Sequence, residues 1–135
     1  MKKLFLFLAL ILFFVVSSNI NAQVGLIVCE RYDSQYGIIG EGVTFTKGYL
    51  TVVATSAYPI NYTDVYIQFD RYNANDGQYY FYKQFAFTIP YGYRHVYFSR
   101  VGNNDMQFDH AGYYIIWLLD LNNNVIAKTT VTIVD

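Results

Sequence analysis

Apolar and polar residues alternate along most of the chain from residue 23 onward, and no helical pattern of useful length appears. In residues 64–70, for example, Val65, Ile67 and Phe69 alternate with Tyr66 and Gln68. A period of two residues is typical of half-buried β-strands. Segments with this pattern predict seven strands, which cover residues 24–31, 48–55, 64–70, 78–88, 94–100, 113–120 and 125–134.

Turn-forming residues separate these strands. Asn75, Asp76 and Gly77 form a turn of the hairpin type, and Pro90 ends a run because it cannot donate a hydrogen bond to a sheet. Short strands joined in this way predict one all-β domain, residues 23–135, folded as an antiparallel β-sandwich of about seven strands. A closed barrel is the alternative arrangement of such strands.

Two of the strands carry information about their faces. The segment 113–120 is apolar on both faces, so we expect it in the centre of a sheet, with neighbouring strands and loops covering its second face. In the segment 78–88, alternation assigns one face to Phe81, Phe85 and Phe87, and the other to Tyr80, Tyr82 and Gln84.

The first 22 residues have the layout of a secretory signal peptide. Lys2 and Lys3 precede an apolar run at residues 4–16, and residues 17–22 are small and polar around a few apolar positions. A helix over the apolar run would span roughly 20 Å, which is too short for a hydrocarbon core of about 30 Å. The pattern predicts cleavage after Ala22 and no stable membrane span afterwards. We therefore expect a secreted, extracellular or cell-surface protein, periplasmic if the source is Gram-negative. An uncleaved anchor is the alternative.

Composition and charge exclude two classes of protein, disordered chains and nucleic-acid-binding proteins. Aromatic residues make up 20% of the chain and charged residues 14%, which is not the composition of a disordered protein and requires many tyrosines at the surface. Loss of Lys2 and Lys3 with the leader leaves seven basic against ten acidic residues, without a run of like charge. We therefore exclude nucleic acid as a partner.

Cys29 is the only cysteine, so the chain cannot form an internal disulfide. Its position in an apolar segment indicates a buried, unreactive thiol. A bridge to a second chain and a lipid-modified cysteine are the alternatives.

One short motif resembles a known fold. Asp109, Ala111 and Tyr113 have the spacing of the turn into the sixth strand of immunoglobulin-type domains, with Ile115 at the usual cysteine position. The resemblance implies an immunoglobulin-like β-sandwich in which Asp109 and Tyr113 form a tyrosine corner, a hydroxyl bond back to the upstream backbone. It also implies that Ala54, in place of the partner cysteine, faces Ile115. The tryptophan expected on the third strand is absent.

No catalytic set is recognisable, so we expect neither an enzyme nor a cofactor. The two histidines, His95 and His110, have no carboxylate and nucleophile at a characteristic spacing. Oxygen-bearing residues crowd one turn and suggest a weak calcium candidate formed by Asp70, Asn73, Asn75 and Asp76. Asn and Asp are equally the ordinary residues of turns. Asn61 begins an N-glycosylation sequence, which matters if the source is eukaryotic.

Tyrosines around the fourth and fifth strands are the most informative functional feature. Exposed tyrosines provide rigid, amphipathic contact area, although tyrosine also fills half-exposed strand positions because of its high strand propensity. We therefore predict a non-catalytic binding module that recognises a glycan or an extracellular protein. The predicted ligand-binding residues are Tyr80, Tyr82, Tyr91, Tyr93 and Tyr97.

Two other functions remain open. Low charge and apolar strands such as residues 125–134 would suit a self-assembling component of a coat, matrix or envelope, and hence a homo-oligomer. A small secreted inhibitor or toxin that inserts the loop 101–110 into a partner is the other alternative.

Overall fold

The computed structural model describes residues 24–101 and 105–135. The predicted leader, residues 1–22, and the loop residues Asn103 and Asn104 lie outside this part of the chain. The described residues form strands and no helix, which confirms the all-β prediction. The strands are β1 (Val24–Cys29), β2 (Arg31–Asp33), β3 (Gly37–Ile39), β4 (Thr44–Thr46), β5 (Gly48–Tyr49), β6 (Thr51–Ser56), β7 (Asp64–Asn73), β8 (Gln78–Thr88), β9 (His95–Phe98), β10 (Gln107–Phe108), β11 (Gly112–Leu119) and β12 (Val125–Val134).

Two larger sheets share one hydrophobic core. The five-stranded sheet has the order β4-β12-β11-β7-β8, and the three-stranded sheet has the order β1-β6-β9. Buried side chains of both sheets, such as Ile67 and Ile116 of the first and Val52 and Phe98 of the second, belong to the same cluster. The arrangement is therefore sandwich-like.

The structure also contains short pairings that the sequence pattern does not predict. β2 and β3 form a small hairpin around the turn at residues 34–36. β10, which lies in the predicted loop 101–110, pairs with β5. Strands of two or three residues are too short to show a period of two. In addition, β4 pairs with β12 in parallel, so the antiparallel prediction is wrong at this edge. That pairing also makes β12 an interior strand at Thr132–Val134, where the self-assembly hypothesis needs a free edge.

A β-bulge reverses the alternation of β8 at its middle. Phe69 lies opposite Lys83, whereas the next residue, Asp70, lies opposite Phe81, so Tyr82 is the extra residue. As a result Phe81 is 64% exposed while Phe85 is 2% exposed, and the prediction that the two share a face is wrong. Tyr82 instead packs against the core.

β11 is the central strand of the five-stranded sheet, as predicted. Ile116 lies opposite Phe69, whose side chain points into the core, and this pairing places Tyr114 inward and Ile115 on the outer face. The predicted contact between Ala54 and Ile115 is therefore wrong. The tyrosine whose hydroxyl bonds to the upstream backbone is Tyr114, which donates to the carbonyl oxygen of His110 at 2.6 Å. Tyr113 points outward and is 56% exposed.

Cys29 lies fully buried opposite Thr51, and its Sγ contacts the Thr51 carbonyl oxygen at 3.7 Å. The prediction of a buried thiol is confirmed. Burial raises the pKa of this thiol, and the nearby Glu41 adds to the effect. The reactive thiolate is therefore disfavoured.

Candidate binding site

A surface depression lies at the end of the five-stranded sheet, where the β7–β8 hairpin approaches the start of β11. It has a volume of about 650 Å³. We call it the hairpin groove. Its principal lining side chains are Arg71, Tyr72, Tyr80, Phe81, Tyr82 and Tyr113.

Local sequence forms the hairpin that supports one wall. The turn closes with a 2.8 Å hydrogen bond from the Gly77 nitrogen to the Asn73 carbonyl oxygen, and Gly77 adopts a φ of 73°, a region that favours glycine. Asn73 and Asp76 side chains accept hydrogen bonds from the backbone nitrogens of Asn75 and Gln78. These local bonds fix the register that brings Tyr80 opposite Arg71.

Two groove tyrosines are held by carboxylates. The Tyr80 hydroxyl donates to Asp76, and this bond raises the pKa of Tyr80 and lowers the pKa of Asp76. The Tyr82 hydroxyl donates to Oδ2 of Asp109 at 3.4 Å, and burial together with the Asp109 charge raises the pKa of Tyr82. Both phenols therefore stay protonated at neutral pH, with their rings held in place.

Ring contacts hold the other aromatic walls. The Tyr72 ring lies 5.3 Å from that of Tyr79 and 5.9 Å from that of Tyr113. The Tyr82 ring lies 5.6 Å from that of Tyr114. Contacts of this kind restrict side-chain motion before any ligand arrives. The groove is therefore largely preformed.

Charged side chains tie the second wall to the sheet. Lys83 donates to the Gln107 carbonyl oxygen at 2.7 Å and lies 3.5 Å from Asp109 and 3.8 Å from Asp105. Arg71 Nη2 donates to the Ala111 carbonyl oxygen at 3.3 Å. The segment before β11 is therefore anchored to both β7 and β8. Arg71 is also the only formally charged residue that lines the groove, within the described chain.

The structure does not bring the five predicted tyrosines to one surface. Tyr80 and Thr88 are separated by about 26 Å of extended strand, so Tyr80 and Tyr82 lie at the opposite end of β8 from Tyr91 and Tyr93. Tyr91 is 88% exposed. Tyr97 lies on the other sheet, where its ring stacks on Tyr32 at 4.5 Å.

Sequence reasoning found Tyr80 and Tyr82 but missed Arg71, Tyr72 and Phe81 as groove residues. The missing information is the end of β7, where the strand continues to Asn73 although apolar residues no longer alternate with polar ones beyond Asp70. With that extension, Arg71 and Tyr72 would have been placed opposite Tyr80 and Tyr79. Phe81 could not have been found, because the bulge that exposes it leaves no mark in the pattern.

The calcium candidate is divided by the fold. Asp70 lies within β7, and its carboxylate accepts hydrogen bonds from Gln68 and Trp117. Asn73 and Asp76 use side-chain oxygens in the turn bonds described above. In the part of the chain that the structure describes, no group of three or more His, Cys, Asp or Glu side chains could hold a metal ion.

The remaining candidates are exposed. His95, His110 and Asn61 all lie at the surface, and Asn61 is accessible in the loop before β7. Whether Asn61 carries a glycan stays a prediction. In residues 24–101 and 105–135, no helix is long and apolar enough to cross a membrane. Comparison with known proteins gives no match to a family model, a curated protein or a solved structure.

Proposed function

We propose that this chain is an exported, non-catalytic binding module with an immunoglobulin-like sandwich, and that it recognises a glycan through the hairpin groove. The observation that carries the proposal is a preformed groove with aromatic walls and one cationic side chain, Arg71, at the end of the sheet.

Strand order supports the immunoglobulin-like assignment. In that fold, strands A, B and E share one sheet, and strands G, F, C and C′ share the other. The orders β1-β6-β9 and β12-β11-β7-β8 agree with these two sets. The bond from Tyr114 to His110 also has the character of a tyrosine corner at the start of strand F.

The chemistry of the groove favours a sugar chain. The apolar faces of pyranose rings pack on aromatic side chains, and their hydroxyl groups need a few polar partners. Tyr72 and Tyr113, whose rings meet on the outer side of the sheet, line the groove together with Tyr80 on its inner side. Arg71 and Asn73 lie beside them. Because these rings are already held, binding would cost little side-chain entropy.

An oligosaccharide array followed by calorimetry tests this function. The purified protein should bind at least one glycan, and Tyr80→Ala and Tyr113→Ala should each weaken that binding about tenfold or more, in line with the loss of one stacking surface. Tyr91→Ala and Tyr93→Ala are matched controls, since these exposed tyrosines lie away from the groove. Circular dichroism should show that all four variants keep their strand content.

Three results would contradict the proposal: absence of binding to every glycan, equal losses in the controls and the groove variants, or capture of a protein partner alone. Export is tested separately by N-terminal sequencing of the protein from its native source, which should begin at Gln23 and come from an extracellular, surface or periplasmic fraction. An intact leader on a cytoplasmic molecule would refute this part.

A further inference from the structure

The outer face of the five-stranded sheet is a second surface with unusual chemistry. We call it the outer sheet face and define it by the outward side chains Tyr66, Gln68, Asp70, Ile115, Trp117, Lys128 and Thr130. The strand registers place these side chains together, because Trp117 lies opposite Gln68 and Lys128, and Ile115 lies opposite Asp70 and Thr130.

A continuous row of polar bonds crosses this face. Gln84 donates to Gln68 at 3.0 Å, Gln68 donates to Asp70 at 2.9 Å, and the Trp117 indole donates to Asp70 at 2.8 Å. The Lys128 ammonium lies 5.4 Å from the centre of the Trp117 ring. The row spans β8, β7, β11 and β12, so the face is rigid before it meets a partner.

Apolar side chains of the same face remain partly open to solvent. Ile115 and Trp117 are half-buried, although the opposite face of their strand is fully buried. Phe81 and Tyr113 extend the apolar surface toward the hairpin groove. Contiguous apolar surface of this kind, rimmed by polar groups, is characteristic of an interaction site.

The charges on the face favour a second copy of this chain. The outward charged side chains of β8, β7, β11 and β12 are Asp64 and Asp70 on β7 and Lys128 on β12, so acidic and basic residues lie on opposite sides of β11. A two-fold axis parallel to β11 would lay β12 of one copy over β7 of the other. Lys128 would then lie over Gln68 and near Asp70 of the second copy, and Thr130 would lie over its Asp70. Opposite charges meet twice, and no like charges are forced together.

We propose that two copies of the chain pack through the outer sheet face in this parallel arrangement. The whole outer surface of β8, β7, β11 and β12 measures about 20 Å across the strands and about 25 Å along β11, or about 500 Å² of plane. This surface includes the outer sheet face and the outward groove residues Tyr72, Phe81 and Tyr113. Two such faces bury about 1,000 Å², which is the lower limit for a specific interface. The dimer is therefore weak and depends on concentration, and the outward groove residues Tyr72, Phe81 and Tyr113 of both copies lie at the same end of the interface.

Sedimentation velocity on the purified protein from about 1 µM to 1 mM tests the proposal, with the emission of Trp117, the only tryptophan, as a second readout. We expect the sedimentation coefficient to rise from the monomer to the dimer value, and the Trp117 emission to shift to the blue over the same range. Thr130→Glu, at an exposed position facing Asp70 of the partner, should raise the dissociation constant tenfold or more and abolish the shift. Thr130→Lys should dimerise at least fivefold more tightly than Thr130→Glu.

His95→Glu is the control, because His95 is exposed on the three-stranded sheet and should leave dimerisation unchanged. A monomer at all concentrations overturns the proposal, as does a dimer unaffected by Thr130→Glu. Equal dissociation constants for the Glu and Lys variants overturn the proposed orientation. Glycan binding by monomeric Thr130→Glu would show that the groove function holds on its own, so the two proposals fail independently.

Discussion

The hydroxyl group of Tyr114 donates a 2.6 Å hydrogen bond to the carbonyl oxygen of His110, four residues earlier in the chain. The Tyr114 side chain is fully buried between the two sheets, and its ring lies 4.9 Å from that of Phe108. This bond pins the segment that enters β11 to the core. It therefore also fixes one wall of the hairpin groove.

Replacement of Tyr114 by Phe should lower the free energy of unfolding by about 1–2 kcal/mol, because the ring stays packed while the His110 carbonyl loses its donor. Chemical denaturation followed by circular dichroism measures the change. Tyr113→Phe is the matched control, and since Tyr113 is exposed its effect should stay within ~0.5 kcal/mol. A larger loss for Tyr113→Phe would place the corner bond where the sequence resemblance put it.

Alkaline pH should remove the contribution of the Tyr114 phenol to the free energy of unfolding. Burial raises the pKa of Tyr114 to about 12, and the nearby Arg71 charge opposes this only in part. Between pH 10 and 12 the unfolded chain loses this proton while the folded chain keeps it, so stability falls as the pH rises. The contribution is on the order of 2 kcal/mol over that interval.

The Tyr114→Phe variant lacks this group, so the stability difference between parent and variant isolates it. Denaturation at several values from pH 9 to pH 11.5 should show that the difference shrinks as the pH rises. A difference that stays constant across this interval would contradict the role of the buried phenol.

The strands that were predicted well are long segments in which the apolar residues of the pattern lie on a buried face of the sheet. The bounds predicted for β8 are those observed, and β11 is central because both of its faces are apolar. The sequence-based prediction failed where a shift of one residue moves side chains to the other face of a strand. The bulge at Tyr82 reverses two aromatic positions, and the tyrosine that bonds back to the upstream backbone lies one place later than the resemblance implies. Both errors come from long-range pairing with β7, which a local pattern does not contain.

The predicted binding surface grouped tyrosines that are close together in the sequence, and the structure brings only some of them together. Tyr80 and Tyr91 are close in sequence, but the extended strand between them carries them to opposite ends of the sheet. Conversely, Tyr113 is far from Tyr72 in sequence, yet their rings meet at 5.9 Å. Only the order of strands in the sheet determines such neighbours.

Cys29 should be protected from thiol reagents in the folded protein. Its side chain is fully buried and its pKa is raised by burial, so the attacking thiolate is both scarce and inaccessible. Ellman's reagent should react about 100-fold more slowly with the native protein than with protein in denaturant. Fast modification, or a disulfide-linked dimer on a non-reducing gel, would instead favour the bridge to a second chain.

Lys83 and Lys47 each form ion pairs, and the two lysines differ in how far they are exposed to solvent. Lys83 has a side chain 21% exposed and contacts Asp105, Asp109 and the Gln107 carbonyl oxygen, whereas Lys47 is 45% exposed and pairs with Asp135 at 2.5 Å. Lys83→Met should cost about 1–3 kcal/mol of unfolding free energy, because it leaves Asp105, whose side chain is 13% exposed, without its cation.

Lys47→Met should change the free energy of unfolding by no more than ~0.5 kcal/mol, since exposed pairs are well screened by solvent. Urea denaturation of both variants at low and at high salt measures the two effects, and high salt should not reproduce the Lys83→Met loss in the parent protein. Because Lys83 holds the segment before β11 against β8, glycan binding at the hairpin groove should weaken in Lys83→Met and persist in Lys47→Met. Equal stability of the two variants would show that Lys83 does not brace the groove.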